Sequence, residues 1–112
     1  MTFALLRPVC LLALSLPALA VAQTSTLDKI KQSGTMTLAY RESSIPFSYL
    51  DDKAQPVGFA HEICLKIVDD VKKAVGKPDL KVALQSVTSA NRIPLLQNGT
   101  IDIECGSTTN NS

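Results

Sequence analysis

Three short polar stretches hold the residues of this chain best suited to bind a ligand: Tyr40-Arg-Glu-Ser-Ser44, Thr88-Ser-Ala-Asn-Arg92 and Gly106-Ser-Thr-Thr109. They contain Arg41 and Arg92, the only arginines after Arg7, together with a concentration of Ser and Thr hydroxyls. A guanidinium presents a planar fork of donors that fits a carboxylate two bonds at a time. Hydroxyls, with the free N–H groups of a helix start, complete an anion site. A small ligand bearing carboxylates is the chemistry this set predicts. Taken singly, each arginine reads as a solvated surface charge, but two of them, each beside hydroxyls, point to a shared purpose.

Other chemistries fit the residues less well. His61, Glu62 and Cys64 could be read as a metal cluster, because positions i and i+3 share a helix face, yet Cys64 belongs to an apolar stripe, where a thiol behaves as a small hydrophobe. Neither Cys64 nor Cys105 is followed by a second Cys or His in the register of a structural zinc site. Asp102 and Glu104 alternate with Ile101 and Ile103 and could be read as an acid/base pair, but no nucleophile has a base beside it, so surface or strand-edge roles are expected of them. Asn98-Gly-Thr100 and Asn110-Asn-Ser112 match the glycosylation sequon and read more simply as a helix end and a polar loop. No catalytic residue, metal or cofactor is predicted.

The elements that would position the arginines follow from periodicity. Leu27 and Ile30 lie on one side of a short helical turn that Gly34 can end. Met36–Tyr40 reads as a strand apolar on both faces, hence buried between layers. Residues 43–60 alternate short apolar runs with turn formers, which predicts an irregular hairpin on the surface. From His61 to Val75 the period becomes helical: Cys64, Ile67, Val68, Val71 and Val75 form one stripe. Glu62–Lys66 and Asp69–Lys73 are charge pairs four apart on the other face, and Gly76 and Pro78 mark the stop. Lys81–Val87 is a second strand, and a short helix starts near Asn91, with Pro94 in its first turn and Gly99 after it. Ile101–Cys105 is a third strand. Strand, hairpin, helix, strand, helix, strand predicts an α/β fold with a three-stranded parallel sheet, flanking helices and a hairpin after the first strand. Ligands of such sheets bind beyond the carboxyl ends of the strands, where the three polar stretches fall.

The N-terminus has the form of a cleavable secretory signal over residues 1–22: one charge at Arg7, an apolar run from Val9 to Leu16, and small residues at Ala18, Ala20 and Ala22. Cleavage is expected after Ala22. Eleven Lys/Arg against ten Asp/Glu, with Arg7 inside that segment, leave residues 23–112 balanced in charge, which offers no footprint for nucleic acid. Cys10 leaves with the signal. Cys64 and Cys105 can pair with each other, pair elsewhere or stay free, and the sequence does not choose.

RESSIPFSYLD, GFAHEICLKIVDDVKKAVGKPDLKV and TSANRIPLLQNGTIDIECGSTTNN closely resemble the start of periplasmic glutamate/aspartate-binding proteins, the type II solute-binding components of amino-acid ABC transporters. The resemblance implies an exported, monomeric periplasmic receptor for L-glutamate or L-aspartate that delivers its ligand to a membrane permease. It implies that Arg41 grips the ligand's side-chain carboxylate, with Ser89 and Arg92 in the motif beside the same group. Ser107 would contact the α-amino group and Thr109 the α-carboxylate. In the family GSTTNN is followed by a further arginine and a whole second lobe. The chain ends at Ser112, so residues 23–112 are expected to form a partial first lobe, with the hinge and second lobe absent. Relatives of this fold also include periplasmic dehydratases and sensor domains of membrane receptors, which stand as the alternatives.

Overall fold

The computed structural model describes residues 25–109. The expected signal segment, its cleavage point and the Asn110-Asn-Ser112 sequon lie outside the described residues. Ser25 opens the first helix, α1 (Thr26–Ser33): its hydroxyl accepts the Asp28 N–H at 3.1 Å. Gly34 closes it in the left-handed conformation, φ 70°, and returns its N–H to the Ile30 carbonyl. The chain turns directly into β1 (Thr35–Tyr40).

A small antiparallel sheet follows, formed by β2 (Ser43–Ser44), β3 (Ser48–Leu50) and β4 (Pro56–Val57) in that spatial order. This is the region expected as an irregular surface hairpin, and the expectation needs correcting at Ser48, which is fully buried. The Ser48 hydroxyl accepts the Arg41 N–H at 2.9 Å, so the hairpin is pinned to the end of β1. Ile45 and Phe47 do remain exposed.

Helix α2 (Phe59–Val75) begins two residues before the expected His61. Its first turn is held from outside: the Phe59 N–H donates to the Pro46 carbonyl at 3.0 Å and the Ala60 N–H to that of Phe47 at 2.8 Å. With the His61 N–H also reaching the Phe47 carbonyl at 3.4 Å, three of the four orphan donors of a helix start are satisfied by backbone from the hairpin. Gly58 makes this possible. It has φ 122°, and a Cβ there would collide with the Phe47 carbonyl and stand 2.9 Å from the Ser48 nitrogen. Gly76 ends the helix in the left-handed region, φ 68°. The expected stripe is the buried one: Cys64, Val68 and Val75 are covered, and Ile67 and Val71 are partly so. The pairs Glu62–Lys66 and Asp69–Lys73 do not close, and the ion pair found within 4.0 Å among the described residues is Lys29–Asp102.

β5 (Lys81–Ser86) pairs parallel with β1, in register from Thr35↔Lys81 to Tyr40↔Ser86. After α3 (Arg92–Gln97), β6 (Ile103–Cys105) pairs parallel along the other side of β1, from Leu38↔Ile103 to Tyr40↔Cys105. The order β5-β1-β6 makes β1 central, which explains its two-sided apolar character. Met36 and Leu38 face α1 and α2 in a core with Ile30, Cys64, Val68, Leu80 and Cys105. Ala39 faces the opposite way, into a smaller core with Val87, Ile101 and Leu95 of α3. Each such apolar side chain removed from water contributes roughly 1.5–3 kcal/mol. Cys64 and Cys105 form a disulfide, Cα–Cα 6.2 Å, tying α2 to the end of β6.

Helices on opposite faces carry two crossovers that run in opposite directions across the sheet. The first, β1 to β5, runs through α2; the second, β5 to β6, runs over β1 through α3. The direction reverses at the carboxyl ends of β1 and β6, where open α/β sheets hold ligands.

Candidate functional site

Arg41 is the first residue beyond β1. Its backbone is fixed by Ser48 on both sides, since the hydroxyl that accepts the Arg41 N–H also donates to the Arg41 carbonyl at 3.4 Å. From that anchor the guanidinium crosses to the end of β5, where Nη1 donates to the Ser89 hydroxyl at 2.9 Å. Ser89 sits in a tight turn closed by reciprocal bonds. The Thr88 N–H donates to Asn91 Oδ1 at 2.7 Å, and the Asn91 N–H to Thr88 Oγ1 at 3.2 Å. The two strand ends are further joined by the Val87 N–H, which donates to the Tyr40 carbonyl at 2.9 Å. One Arg41 bond to a hydroxyl leaves the other guanidinium N–H groups available to a carboxylate.

Arg92 opens α3, three residues after Ser89, with its N–H on the Thr88 carbonyl at 3.2 Å. Its Nε and Nη1 are buried and meet no acceptor among the described residues. Buried donors without acceptors are costly, so this guanidinium has capacity that the described residues leave unused.

Ser107 and Thr109 follow β6. The Ser107 hydroxyl donates to that of Ser44 at 3.3 Å, which joins the loop after β6 to β2 of the hairpin. Thr109 is exposed and makes no hydrogen bond to the other four candidates. The five sequence-predicted residues thus fall into one bonded pair, Arg41 with Ser89, and three others placed around the same edge. Gly106 leaves room here for the Glu104 carboxylate, which a Cβ at this position would displace, and that Cβ would stand 2.9 Å from Arg41 Cγ.

Several contributors to this edge carried no individual signal in the sequence. Ser44 and Ser48 stand out only once the hairpin folds back. Glu104, expected to take a surface or strand-edge role, has one oxygen on the Thr108 hydroxyl at 2.7 Å and the other, Oε1, buried with no partner among the described residues. Asp102 departs further from that expectation. Its side chain is 2% exposed, with Oδ1 on Lys29 Nζ at 2.8 Å and Oδ2 on the Thr37 N–H at 2.8 Å, a fully occupied structural role.

Cys64 is spent in the disulfide, so the His61, Glu62 and Cys64 trio offers no thiolate to a metal. His61 itself is buried at the start of α2. Loss of hydration pushes its pKa down from 6.5, against the smaller opposing pull of Glu62. A hollow of about 480 Å³ lies by the C-terminal end of α2, lined by Asp69, Lys72, Lys73, Gly76 and Pro78. It belongs to the amino edge of the sheet, opposite the arginines, and lacks their convergence of hydroxyls.

The chain is similar to known proteins over most of its length. Residues 36–112 match the bacterial extracellular solute-binding proteins, family 3. The L-glutamate/L-aspartate-binding protein of Pseudomonas aeruginosa is 57% identical over 99 residues, which is 88% of this chain and 33% of that protein. The glutamate/aspartate import solute-binding protein of Escherichia coli K12 is 56% identical over 92 residues, 82% of this chain and 30% of the relative. Among solved structures, an ancestral amino-acid-binding protein described as a precursor of cyclohexadienyl dehydratase superposes with TM-score 0.65 at 29% identity, covering 78% of this chain and 35% of that one. The chain therefore spans about a third of the length of the relatives it matches. Its sheet is the corresponding part of the type II periplasmic amino-acid-binding fold. From the NRIPLLQNGT and ECGSTTNN blocks to the β5-β1-β6 sheet they flank, the chain belongs to the bacterial extracellular solute-binding proteins, family 3.

Proposed function

We propose that this chain forms one wall of an amino-acid-binding site in an exported receptor, which captures L-glutamate or L-aspartate in the periplasm and passes it to the membrane permease of an ABC transporter. The observation that carries this reading is the Arg41 guanidinium, held by Ser89 at 2.9 Å at the carboxyl edge of the sheet, with a second guanidinium three residues beyond Ser89. Two forks of donors and a ring of hydroxyls suit a ligand with more than one carboxylate. The names of the P. aeruginosa and E. coli relatives support an acidic amino acid over a neutral one. In this reading residues 1–22 are a signal peptide removed on export, Ser107 and Thr109 meet the α-amino and α-carboxylate groups, no cofactor takes part, and the receptor works as a monomer.

The test is ligand choice by a full-length protein carrying this sequence. Glutamine and asparagine bring amide donors to a site already built of donors, so calorimetric titration should show them at least tenfold weaker than glutamate and aspartate, about 1.4 kcal/mol or more. Equal affinity for glutamine and glutamate contradicts the assignment. The ancestral binder's description as a dehydratase precursor favours a second reading, an enzyme acting on a cyclic acid. Product release from such an acid, in place of simple reversible binding, separates the two.

A further inference from the structure

One acidic side chain is held against the arginine edge without entering an ion pair. Glu104 is the register partner of Ala39, so it leaves the sheet on the α3 side, the side to which Arg41 also turns by strand alternation. Its Oε2 accepts the Thr108 hydroxyl at 2.7 Å. Its Oε1 is buried and receives no donor among the described residues. The carboxylate lies so close to Gly106 that a Cβ there would collide with it, and the same Cβ would stand 2.9 Å from Arg41 Cγ. A single side chain therefore fills the space between the Arg41 stem and the loop of residues 106–109. Ser107, Thr108 and Thr109 are exposed, and beside the longer 3.3 Å bond of Ser107 to Ser44 this carboxylate is the loop's side-chain tie to the sheet among the described residues.

We propose that Glu104 is a positioning residue for ligand capture: its bond to Thr108 and its packing beside Gly106 set the loop against Arg41, so that the Ser107 hydroxyl and the Arg41 guanidinium address the same ligand. A hydrogen bond to a carboxylate is stronger than one between neutral groups, and a loop fixed before binding loses less freedom when the ligand arrives. The inference rests on the proposed function above.

The experiment is a double-mutant cycle in the full-length protein carrying this sequence, read as glutamate affinity by calorimetry. Thr108→Val, an exposed substitution, and Glu104→Ala should each weaken glutamate binding about tenfold. The double variant should be no weaker than Glu104→Ala alone, because the bond can be lost only once. Thr108→Ser keeps the hydroxyl and should bind like the parent. The inference is overturned if the two losses multiply, if Thr108→Val binds like the parent, or if Thr108→Ser is as weak as Thr108→Val. Should Glu104→Ala not fold, the Thr108→Val and Thr108→Ser pair decides alone. A parent protein that binds no acidic amino acid overturns the proposed function itself, a result distinct from failure of the Glu104 arm.

Discussion

Asp102 and Glu104 stand two residues apart, one just before β6 and one within it, and the fold treats them in opposite ways. Both oxygens of Asp102 are occupied, by the Lys29 ammonium and the Thr37 N–H, and Lys29 also donates to the Gly99 carbonyl. That acid ties α1, β1 and the turn before β6 together. Lys29 is 43% exposed, so its Coulomb contribution is screened and modest; the bond to the partly buried Thr37 backbone is the firmer part. Glu104 has one oxygen occupied by a loop hydroxyl and one buried without a donor among the described residues. The difference extends beyond the two acids. Around Asp102 the side-chain bonding is complete, whereas the carboxyl edge carries Arg92 donors and a Glu104 acceptor with capacity to spare. The paired groups around Asp102 hold elements of the fold together. A region with unpaired ones at a sheet's carboxyl edge is where a ligand has something to complete.

The sharpest way to break the closed half is to cut its covalent tie. The disulfide spans 41 residues, and the loop-closure account of cross-links assigns such a bridge about 4 kcal/mol. A domain has only about 5–15 kcal/mol in hand, so reduction, or Cys105→Ser, should move denaturant unfolding to markedly lower concentration. An unfolding midpoint unaltered by reductant would show that packing of α2 on the sheet suffices without the bridge.

A smaller effect is expected at the junction of hairpin and helix. Gly58→Ala places a methyl group on the Phe47 carbonyl in a backbone region unsuited to side chains, at a cost of about 2–3 kcal/mol. Gly34→Ala meets no atom within 4 Å and bears only the left-handed conformation, about 1 kcal/mol. Chemical denaturation of the two variants side by side measures the gap. Equal costs would mean that the close approach of Gly58 to Phe47 is not what holds the start of α2.

The smallest predicted effect is a pH slope. Burial lowers the pKa of His61 below 6.5, so between the folded and unfolded values the unfolded chain binds more protons. Stability from this group is complete above about pH 6.5 and is lost as the pH falls toward the folded value. His61→Gln should flatten unfolding free energy against pH in that acidic window. A slope identical to the parent's would assign the acid sensitivity elsewhere.

The sequence made the α2 stripe, the central burial of β1 and the parallel α/β topology legible, because each is written as a local period or as strand order. It placed the start of α2 at His61, two residues late. The groups that cap this helix belong to residues 46 and 47 on the hairpin, and no local pattern announces a cap supplied from elsewhere in the fold. Pairing of Cys64 with Cys105 was open for the same reason: it depends on α2 crossing β6. Arg41 was legible as a residue type, but its hold on Ser89, 48 positions away, was not. Asp102 and Glu104 read alike on a strand of alternating apolar residues. Only Lys29 on one side and the Gly106 turn on the other separate their roles.

The central claim is that the carboxyl edge of the sheet, and Arg41 above all, receives a carboxylate. Calorimetric titration of glutamate into the full-length protein and its Arg41→Ala variant tests it most directly. Loss of a charge-assisted contact that leaves the ligand's carboxylate unpaired costs about 2–5 kcal/mol, so affinity should fall at least tenfold while the thermal transition of the ligand-free protein stays in place. Unchanged affinity in Arg41→Ala, with the parent binding normally, would contradict the account.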